Sequence, residues 1–202
     1  MSASHTIHLI DDDEDVRKAL SFLLGTAGHA VRVYESATTF LERLEGMQPG
    51  CIVSDVRMPG IDGLELQRRL AEKGISMPVI VMTGHADVPL AVEAMKLGAV
   101  DFIEKPFADT IMLDAIERAL SKITAGADGS VVVRVRSRLE ILSERERQVL
   151  SGLLAGHPNK TIAYDLGISP RTVEVHRANV MTKMAAGSLS ELVRMALSAG
   201  FS

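Results

Sequence analysis

The chain has 202 residues, a length that favours two compact domains, each with its own core, over one small domain or three. Apolar residues make up 47% of it but occur in short periodic runs, and no run approaches the about 18 unbroken apolar residues of a membrane span. The N-terminus lacks the basic and apolar regions of a secretion signal, and the single Cys51, expected in the core, has no disulfide partner, so we expect a cytoplasmic protein.

The small net charge of −4 hides a difference between the two halves. Residues 1–124 carry 12 basic against 19 acidic side chains, whereas residues 125–202 carry 10 against 7. The acidic half is poorly suited to bind a polyanion such as DNA, and the basic half is suited to it.

Between residue 6 and about residue 122, five β-branched runs alternate with amphipathic stretches, which is typical of βαβ units. Strands that are apolar on both faces need helices on both sides of the sheet. We therefore predict an α/β fold with a doubly wound, five-stranded parallel sheet. The predicted strands are Thr6 to Ile10, Ala30 to Tyr34, Cys51 to Ser54, Val79 to Met82 and Asp101 to Ile103, and the predicted helices are 15–27, 37–46, 63–73, 88–97 and 110–123.

A small-residue segment after Lys122 predicts a linker, and all-helical patterns follow from Ser143 onward. The stretch from Val131 to Arg138 alternates Val with Arg and fits either an extended piece or the start of a helix. Four further helices are predicted, at 144–155, 159–166, 170–184 and 188–199. The predicted domains are 3–123, a linker over 124–138, and an all-α domain over 139–202.

Five polar residues stand where predicted strands end, which is where parallel sheets collect functional groups. They are Asp11, Asp12, Asp55, Thr83 and Lys105. Crowded carboxylates favour a hard cation, and Mg²⁺ prefers carboxylate and phosphate oxygens. A carboxylate can also attack phosphorus, and Asp55 is the natural nucleophile because it alone ends a central buried strand. Thr83 and Lys105 could then stabilise the transferring phosphoryl group.

The acidic residues also admit other interpretations. Asp13 and Asp15 are better explained as N-terminal helix acids than as ligands. A calcium-binding EF-hand loop fails because Val16 stands where the turn glycine belongs and Phe22 where the bidentate Glu belongs. A haloacid-dehalogenase-like phosphatase would need Thr or Val at position 15, where this chain has Asp15. Such an enzyme would also hydrolyse phosphate esters with multiple turnover.

Four stretches of the first half resemble the response-regulator receiver family. They are Ile-Asp-Asp from Ile10, Val-Ser-Asp-Val-Arg-Met-Pro-Gly from Val53, Val-Met-Thr-Gly from Val81, and Phe-Ile-Glu-Lys-Pro-Phe from Phe102. The resemblance implies that Asp55 accepts phosphate from a sensor histidine kinase. It implies a phosphoryl acceptor with Mg²⁺-dependent self-phosphorylation and slow self-dephosphorylation, and not an enzyme. The implied metal ligands are Asp11, Asp12, Asp55 and the backbone carbonyl of Arg57.

The same resemblance implies a cis peptide between Lys105 and Pro106 and a switch pair formed by Thr83 and Phe102. The predicted homodimer face joins helix four to strand five and comprises Val92, Met95, Lys96 and Phe102, of which some are also expected in the core. Arg57 and His85 either set the lifetime of the phosphate or are ordinary loop residues.

The segment from Leu142 to Arg177 contains a complete helix-turn-helix signature. Gly167 ends one helix, and Ser169 caps the next with Pro170 at its first position. On that second helix Val173, Val180 and Met184 form a core stripe. The opposite face is the predicted recognition surface, formed by Arg171, Glu174, Val175, Ala178 and Thr182.

This half resembles the LuxR/FixJ class of DNA-binding domains. In this interpretation Glu174 accepts from cytosine N4 and Val175 touches a thymine methyl. Residues expected at DNA phosphates are Lys160, Thr161, Thr172, Arg177 and Lys183. His176 is either a core histidine or part of the surface. The whole chain then resembles a transcriptional activator that contacts RNA polymerase at nitrogen-fixation or low-oxygen promoters. The alternative is a domain whose helices bind a protein instead of DNA.

Overall fold

The computed structural model describes residues 5–44, 46–84, 88–124 and 129–201. In the first half the strands are β1 (Thr6–Ile10), β2 (Ala30–Tyr34), β3 (Gly50–Asp55), β4 (Val79–Thr83) and β5 (Asp101–Glu104). The helices between them are α1 (Glu14–Thr26), α2 (Ala37–Glu42), α3 (Gly63–Glu72), α4 (Val88–Lys96) and α5 (Asp109–Thr124). Neighbouring strands are parallel in the order β2-β1-β3-β4-β5, which confirms the predicted fold class.

Alternate side chains of the strands pack on opposite faces of the sheet, as the two-residue period of a strand requires. On one face Ile7, Val53 and Met82 pack with residues of α1 and α5 in a buried core. On the other, the ring of His8 contacts Phe40 of α2, with centroids 5.8 Å apart. Cys51 is fully buried, as expected, and burial raises the pKa of its thiol to about 12.

Two differences from the predicted elements have local causes. Helix α2 ends at Glu42, shorter than predicted, because the cap residue Arg43 leaves helical geometry with φ −106° and ψ 10°. The edge strand β2 is largely exposed, and of its residues Tyr34 is the buried one. Strand β2 lies at the edge of the sheet and has one neighbouring strand instead of two, so fewer of its side chains are buried by other elements.

The second half is all-helical in its described part. Its helices are α6 (Gly129–Glu140), α7 (Glu144–Leu154), α8 (Asn159–Leu166), α9 (Pro170–Met184) and α10 (Leu189–Ser198). Helix α6 was left undecided by the sequence and occupies most of the predicted linker. It buries Val135 and Leu139, which lie one turn apart on the same face. The segment therefore has a helical, half-buried character that a flexible linker lacks.

The chain divides into two compact units. The first combines Met1–His85 with Leu97–Gly126, and the second combines Ala86–Lys96 with Ala127–Ser202. The predicted bounds 3–123, 124–138 and 139–202 differ from this division in the place of α4 and remain predictions. No described helix is both long and apolar enough to cross a membrane.

Candidate functional site

The carboxyl ends of four neighbouring strands bring the predicted polar residues to one edge of the sheet. Asp11 directly follows β1, Asp55 and Thr83 end β3 and β4, and Lys105 directly follows β5. The backbone N–H of Lys105 donates to the carbonyl of Thr83 at 2.7 Å, which fixes the two strand ends together. The peptide between Lys105 and Pro106 is cis, as the sequence resemblance implied.

The ammonium of Lys105 lies between two carboxylates. Its Nζ donates to Asp11 Oδ2 at 2.7 Å and lies 3.2 Å from Asp55 Oδ1. Burial alone would lower the pKa of Lys105, but the hydrogen bond to Asp11 and the charge of Asp55 outweigh it and the pKa is raised. Lys105 is therefore held as a cation beside both carboxylates.

Asp55 is buried and keeps one oxygen without a donor. Its side-chain Oδ1 accepts no hydrogen bond from the described residues, although Lys105 is its ionic neighbour. Burial raises the pKa of the Asp55 carboxyl, Lys105 opposes the rise, and Asp11 and Asp12 reinforce it. A buried carboxylate with an unbonded oxygen is unfavourable unless a cation or a bond supplies the missing interaction.

Three carboxylates of this edge can reach one point. One ligand oxygen each from Asp11, Asp12 and Asp55 lies within 4.8 Å of the other two. Among the described residues, Lys105 is the cation paired with this group, through Asp11 and Asp55, so negative charge remains to be neutralised. The donor set is all oxygen, and Asp55 Oδ1 accepts no hydrogen bond from the described residues. These residues therefore fit a hard divalent cation such as Mg²⁺.

Asp13 is a helix cap, as expected. Its side chain accepts from the N–H groups of Asp15 and Val16 at the start of α1. Its own N–H donates to Asp11 Oδ1 at 2.9 Å, and this bond orients the Asp11 carboxylate.

Gly63, the first residue of α3, lies against the backbone of Asp55. The sequence alone did not identify it as part of the site. A Cβ at Gly63 would lie 2.4 Å from the backbone oxygen of Asp55. Its N–H donates to the carbonyl of Val56 at 2.9 Å. The signal available was the Asp62-Gly63 pair at a helix start, but the turn alone does not reveal which backbone lies against it.

The predicted switch residues Thr83 and Phe102 are both buried, Thr83 fully and Phe102 with 9% exposure. Of the predicted dimer residues, Val92, Met95 and Phe102 are buried and Lys96 is exposed. The dimer face stays a prediction. Arg57 has an exposed side chain on the loop after β3, and His85 lies outside the described residues.

The helix-turn-helix has the local structure that its sequence predicts. Gly167 ends α8 in the left-handed conformation, with φ 66° and ψ 34°. Ser169 Oγ accepts from the N–H of Thr172 at 3.1 Å, and Pro170 occupies the first turn of α9. Val173, Val180 and Met184 are fully buried, which confirms the predicted core stripe.

The predicted recognition surface is accessible on α9. Arg171, Glu174, Val175, Ala178 and Thr182 are exposed, and so is Lys160 in the first turn of α8. Thr161, Thr172, Arg177 and His176 are half-buried, so His176 is neither a core residue nor a freely solvated one.

Lys183 was predicted to contact phosphate, and in the structure its ammonium is paired with a buried carboxylate. Its Nζ donates to Glu146 Oε2 at 2.7 Å, so the cation is already engaged inside the protein. Glu146 is buried, and its Oε2 also accepts from the N–H of Ser143 at 2.7 Å in a capping box at the start of α7. The hydrogen bond from Lys183, and after it those from Ser143, lower the pKa of Glu146. The Ser-x-x-Glu pattern could have revealed the box, although not its third partner.

Comparison with known families gives the architecture a name. The response regulator receiver domain family matches residues 7–117, and the luxR family of bacterial regulatory proteins matches residues 140–196. This chain is a response regulator. The response regulator is 58% identical over 198 residues to the transcriptional regulatory protein FixJ of Rhizobium meliloti (strain 1021), covering 98% of this chain and 97% of that protein.

Two further similar proteins support the assignment to the response regulators. Response regulator protein TmoT of Ectopseudomonas mendocina is 43% identical over 190 residues, covering 94% of this chain and 86% of that protein. The crystal structure of full-length FixJ from B. japonicum is 52% identical, with a TM-score of 0.59 and complete coverage of both chains. The response regulator is thus a phosphorylation-dependent, DNA-binding transcriptional regulator similar to FixJ.

Membership of this family also indicates what kind of site each half carries. A receiver is a phosphoryl acceptor with a sensor histidine kinase as its partner, and a LuxR-type helix-turn-helix binds DNA. Asp11, Asp12 and Asp55 form the acidic pocket that is typical of a receiver magnesium site.

Proposed function

We propose that Asp55 is the residue that takes the phosphoryl group from the kinase. A carboxylate oxygen of Asp55 forms a bond to phosphorus while the bond from phosphorus to the histidine nitrogen breaks, and the departing imidazole keeps the electron pair. The observation that carries the proposal is the ammonium of Lys105, held 2.7 Å from Asp11 and 3.2 Å from Asp55. A fixed cation at this point stabilises the charge of a transferring phosphoryl group.

Asp11, Asp12, Asp55 and the backbone carbonyl of Arg57 would hold Mg²⁺. When bound, the ion supplies positive charge that neutralises the carboxylates and the phosphoryl oxygens. Asp13 orients Asp11 through its backbone N–H, and Gly63 lets α3 approach the backbone of Asp55. This chemistry gives Mg²⁺-dependent self-phosphorylation and slow loss of the phosphate, with Arg57 beside the path of the attacking water.

The signal passes from Thr83 to Phe102 in this proposal. Thr83 ends β4 and is buried beside the site, and Phe102 lies opposite Val81 on the neighbouring β5. Movement of the Thr83 hydroxyl toward a phosphoryl oxygen would change the packing around Phe102.

The output is promoter binding by the helix-turn-helix. The exposed residues Arg171, Glu174, Val175 and Ala178 face the bases, with Glu174 suited to cytosine N4 and Val175 to a thymine methyl. Lys160, Thr161, Thr172 and Arg177 contact phosphates. A phosphorylation-induced homodimer would match a two-fold operator and contact RNA polymerase in the cytoplasm. By resemblance to FixJ, the genes are those of nitrogen fixation or low-oxygen growth.

Phosphorylation by a small-molecule donor tests the proposal. The full chain is incubated with acetyl phosphate and Mg²⁺, the modified residue is mapped, and DNA affinity is measured by mobility shift. We expect modification of Asp55 and tighter, salt-dependent DNA binding. Multiple turnover of a phosphate ester would instead indicate a phosphatase. The absence of a salt-dependent mobility shift with DNA would indicate that the second half is a protein-binding domain.

Lys160→Ala tests the phosphate contacts. We expect weaker binding to all DNA sequences by a similar factor and a salt slope reduced by about one. The control is Lys18→Ala, which removes an exposed lysine of α1 from the other unit. A loss confined to one operator base would contradict the assignment.

A further inference from the structure

The carboxyl-terminal end of α9 is bonded to residues outside that helix. Arg138 of α6 donates from Nη1 to the backbone carbonyl of Met184, the last residue of α9, at 2.8 Å. The neighbouring Lys183 donates to Glu146 of α7 at 2.7 Å. Both α6 and α7 therefore have a direct bond to the last turn of the helix that carries the predicted recognition surface.

These bonds occupy groups that a helix cannot satisfy by itself. The last carbonyls of a helix lack intrahelical donors and form the negative end of its dipole. The cap residue Ala185 donates its N–H to the carbonyls of Met181 and Thr182. The carbonyl of Met184 receives its donor from Arg138, a cation, at the end of the dipole where a cation is most favourable.

Helix α6 is itself anchored at the same place. Arg147 of α7 donates to the backbone carbonyls of Glu140 and Leu142 at 3.1 and 3.2 Å, which secures the end of α6. Val135 and Leu139, on either side of Arg138 in the sequence, are 2% and 6% exposed. Arg138 thus projects from a packed backbone, so its guanidinium has a fixed position relative to α9.

We propose that Arg138 is a positioning residue for DNA recognition, whose guanidinium holds the end of α9 to α6, so that a displacement of α6 changes DNA affinity. This inference rests on the proposed DNA contacts of α9. Helix α6 is the first described segment after residue 124, so a rearrangement that reaches the chain there can act on the end of α9 through the bond from Arg138. Arg138 itself touches no DNA in this assignment.

The chain offers a matched control. Arg136 lies two residues away on α6, is exposed, and makes no side-chain hydrogen bond or ion pair with the residues that the structure describes. Arg138→Gln and Arg136→Gln remove the same charge from the same helix. A difference between these variants therefore does not come from the electrostatic field of α6.

The first measurement needs no DNA. Hydrogen exchange of the full chain should show faster exchange in the last turn of α9 and at Ala185 and Ala186 in Arg138→Gln, with little change in Arg136→Gln. Arg138→Lys, which can still donate to a carbonyl, should restore much of the protection. Equal exchange in the two Gln variants would overturn the proposal.

The second measurement uses a duplex selected from a random library by the acetyl-phosphate-treated wild-type chain, and a shuffled duplex of the same composition. Arg138→Gln should lose about tenfold in affinity for the selected duplex, with a lower selected-to-shuffled ratio and an unchanged salt slope. A salt slope reduced by about one would make Arg138 a phosphate contact and overturn the proposal. If the wild-type chain selects no duplex, the proposed function fails, and the exchange result still decides the role of Arg138.

Discussion

Each of the two units contains a buried carboxylate that forms an ion pair with a lysine at the same distance. The two pairs differ in the hydrogen bonds that the neighbouring carboxylate oxygens accept. Lys105 donates to Asp11 at 2.7 Å, and Lys183 donates to Glu146 at 2.7 Å. In the first unit Lys105 pairs with Asp11 and Asp55, Asp12 lies beside both, and Asp55 Oδ1 accepts no hydrogen bond from the described residues. In the second unit Glu146 Oε2 accepts both Lys183 and the N–H of Ser143.

The comparison shows that the two ion pairs differ in function because they differ in how many carboxylate oxygens remain without a hydrogen-bond donor. In Glu146, Oε2 already accepts two donors, so removing Lys183 would leave a buried carboxylate without its cation and cost stability. An unsaturated cluster such as Asp11, Asp12 and Asp55 costs stability and retains capacity to bind a cation and react. Substituting the two lysines should therefore have different consequences, for phosphate uptake in the first unit and for stability in the second.

Lys105→Met should have the largest functional effect. We expect phosphate uptake from acetyl phosphate to fall about 100-fold, because one preorganised cationic donor to the phosphoryl oxygens is lost. The rate is measured with Mg²⁺ at saturating concentration, so that a change in metal affinity does not account for the loss. Uptake at the wild-type rate would place Lys105 outside the chemistry.

Gly63→Ala should have the largest effect on stability around the site. The added Cβ meets the Asp55 carbonyl at 2.4 Å, and the overpacking should cost about 3 kcal/mol in urea unfolding of the first unit. The control is Gly25→Ala in α1, where the added Cβ meets nothing within 4 Å. That change should be neutral or stabilising by up to about 1 kcal/mol. Similar losses in both variants would show that Gly63 has no special contact.

Lys183→Met should cost stability and leave the chemistry of the other unit intact. The buried Glu146 loses its cation, and we expect a loss of about 2 kcal/mol in the second unit, less than for a fully buried pair because the Lys183 side chain is 36% exposed. Phosphate uptake should be unchanged. The salt slope of DNA binding should also be unchanged, and a slope reduced by about one would restore the phosphate contact that the sequence suggested.

His8 should give a small pH dependence in the first unit. Burial lowers its pKa below the unfolded value of 6.5, and Arg32 adds to the lowering against a hydrogen bond to the Gln48 carbonyl. Stability is therefore complete above the unfolded pKa and falls as the pH drops through it, since the unfolded state takes up the proton first. Between about pH 7.5 and 5.5, wild type should lose up to about 1 kcal/mol more than His8→Gln, in which this term is absent. Parallel curves would contradict the assignment.

The reacting groups could be predicted from the sequence because strand ends in a parallel sheet share an edge. Asp11, Asp55, Thr83 and Lys105 each needed only a strand boundary to be placed. The core stripe of α9 likewise follows from helical periodicity, and Val173 and Met184 are buried as predicted.

The features that were missed depend on partners far away in the chain. Lys183 looks like a free surface cation until Glu146, 37 residues earlier, is seen beside it. Arg138 and Met184 are 46 residues apart, and no local pattern joins them. Val92 and Met95 have the periodicity of an exposed stripe and of a core alike, and their burial does not follow from the local pattern.

Phosphate uptake by Asp55→Asn tests the central assignment most directly. Wild type and variant are treated with acetyl phosphate and Mg²⁺, and the acid-labile phosphate on each is counted by intact mass. The geometry predicts a single adduct on wild type and essentially none on the variant, which keeps the shape of the side chain but lacks the nucleophilic oxygen. An adduct on Asp55→Asn at the wild-type rate would contradict it.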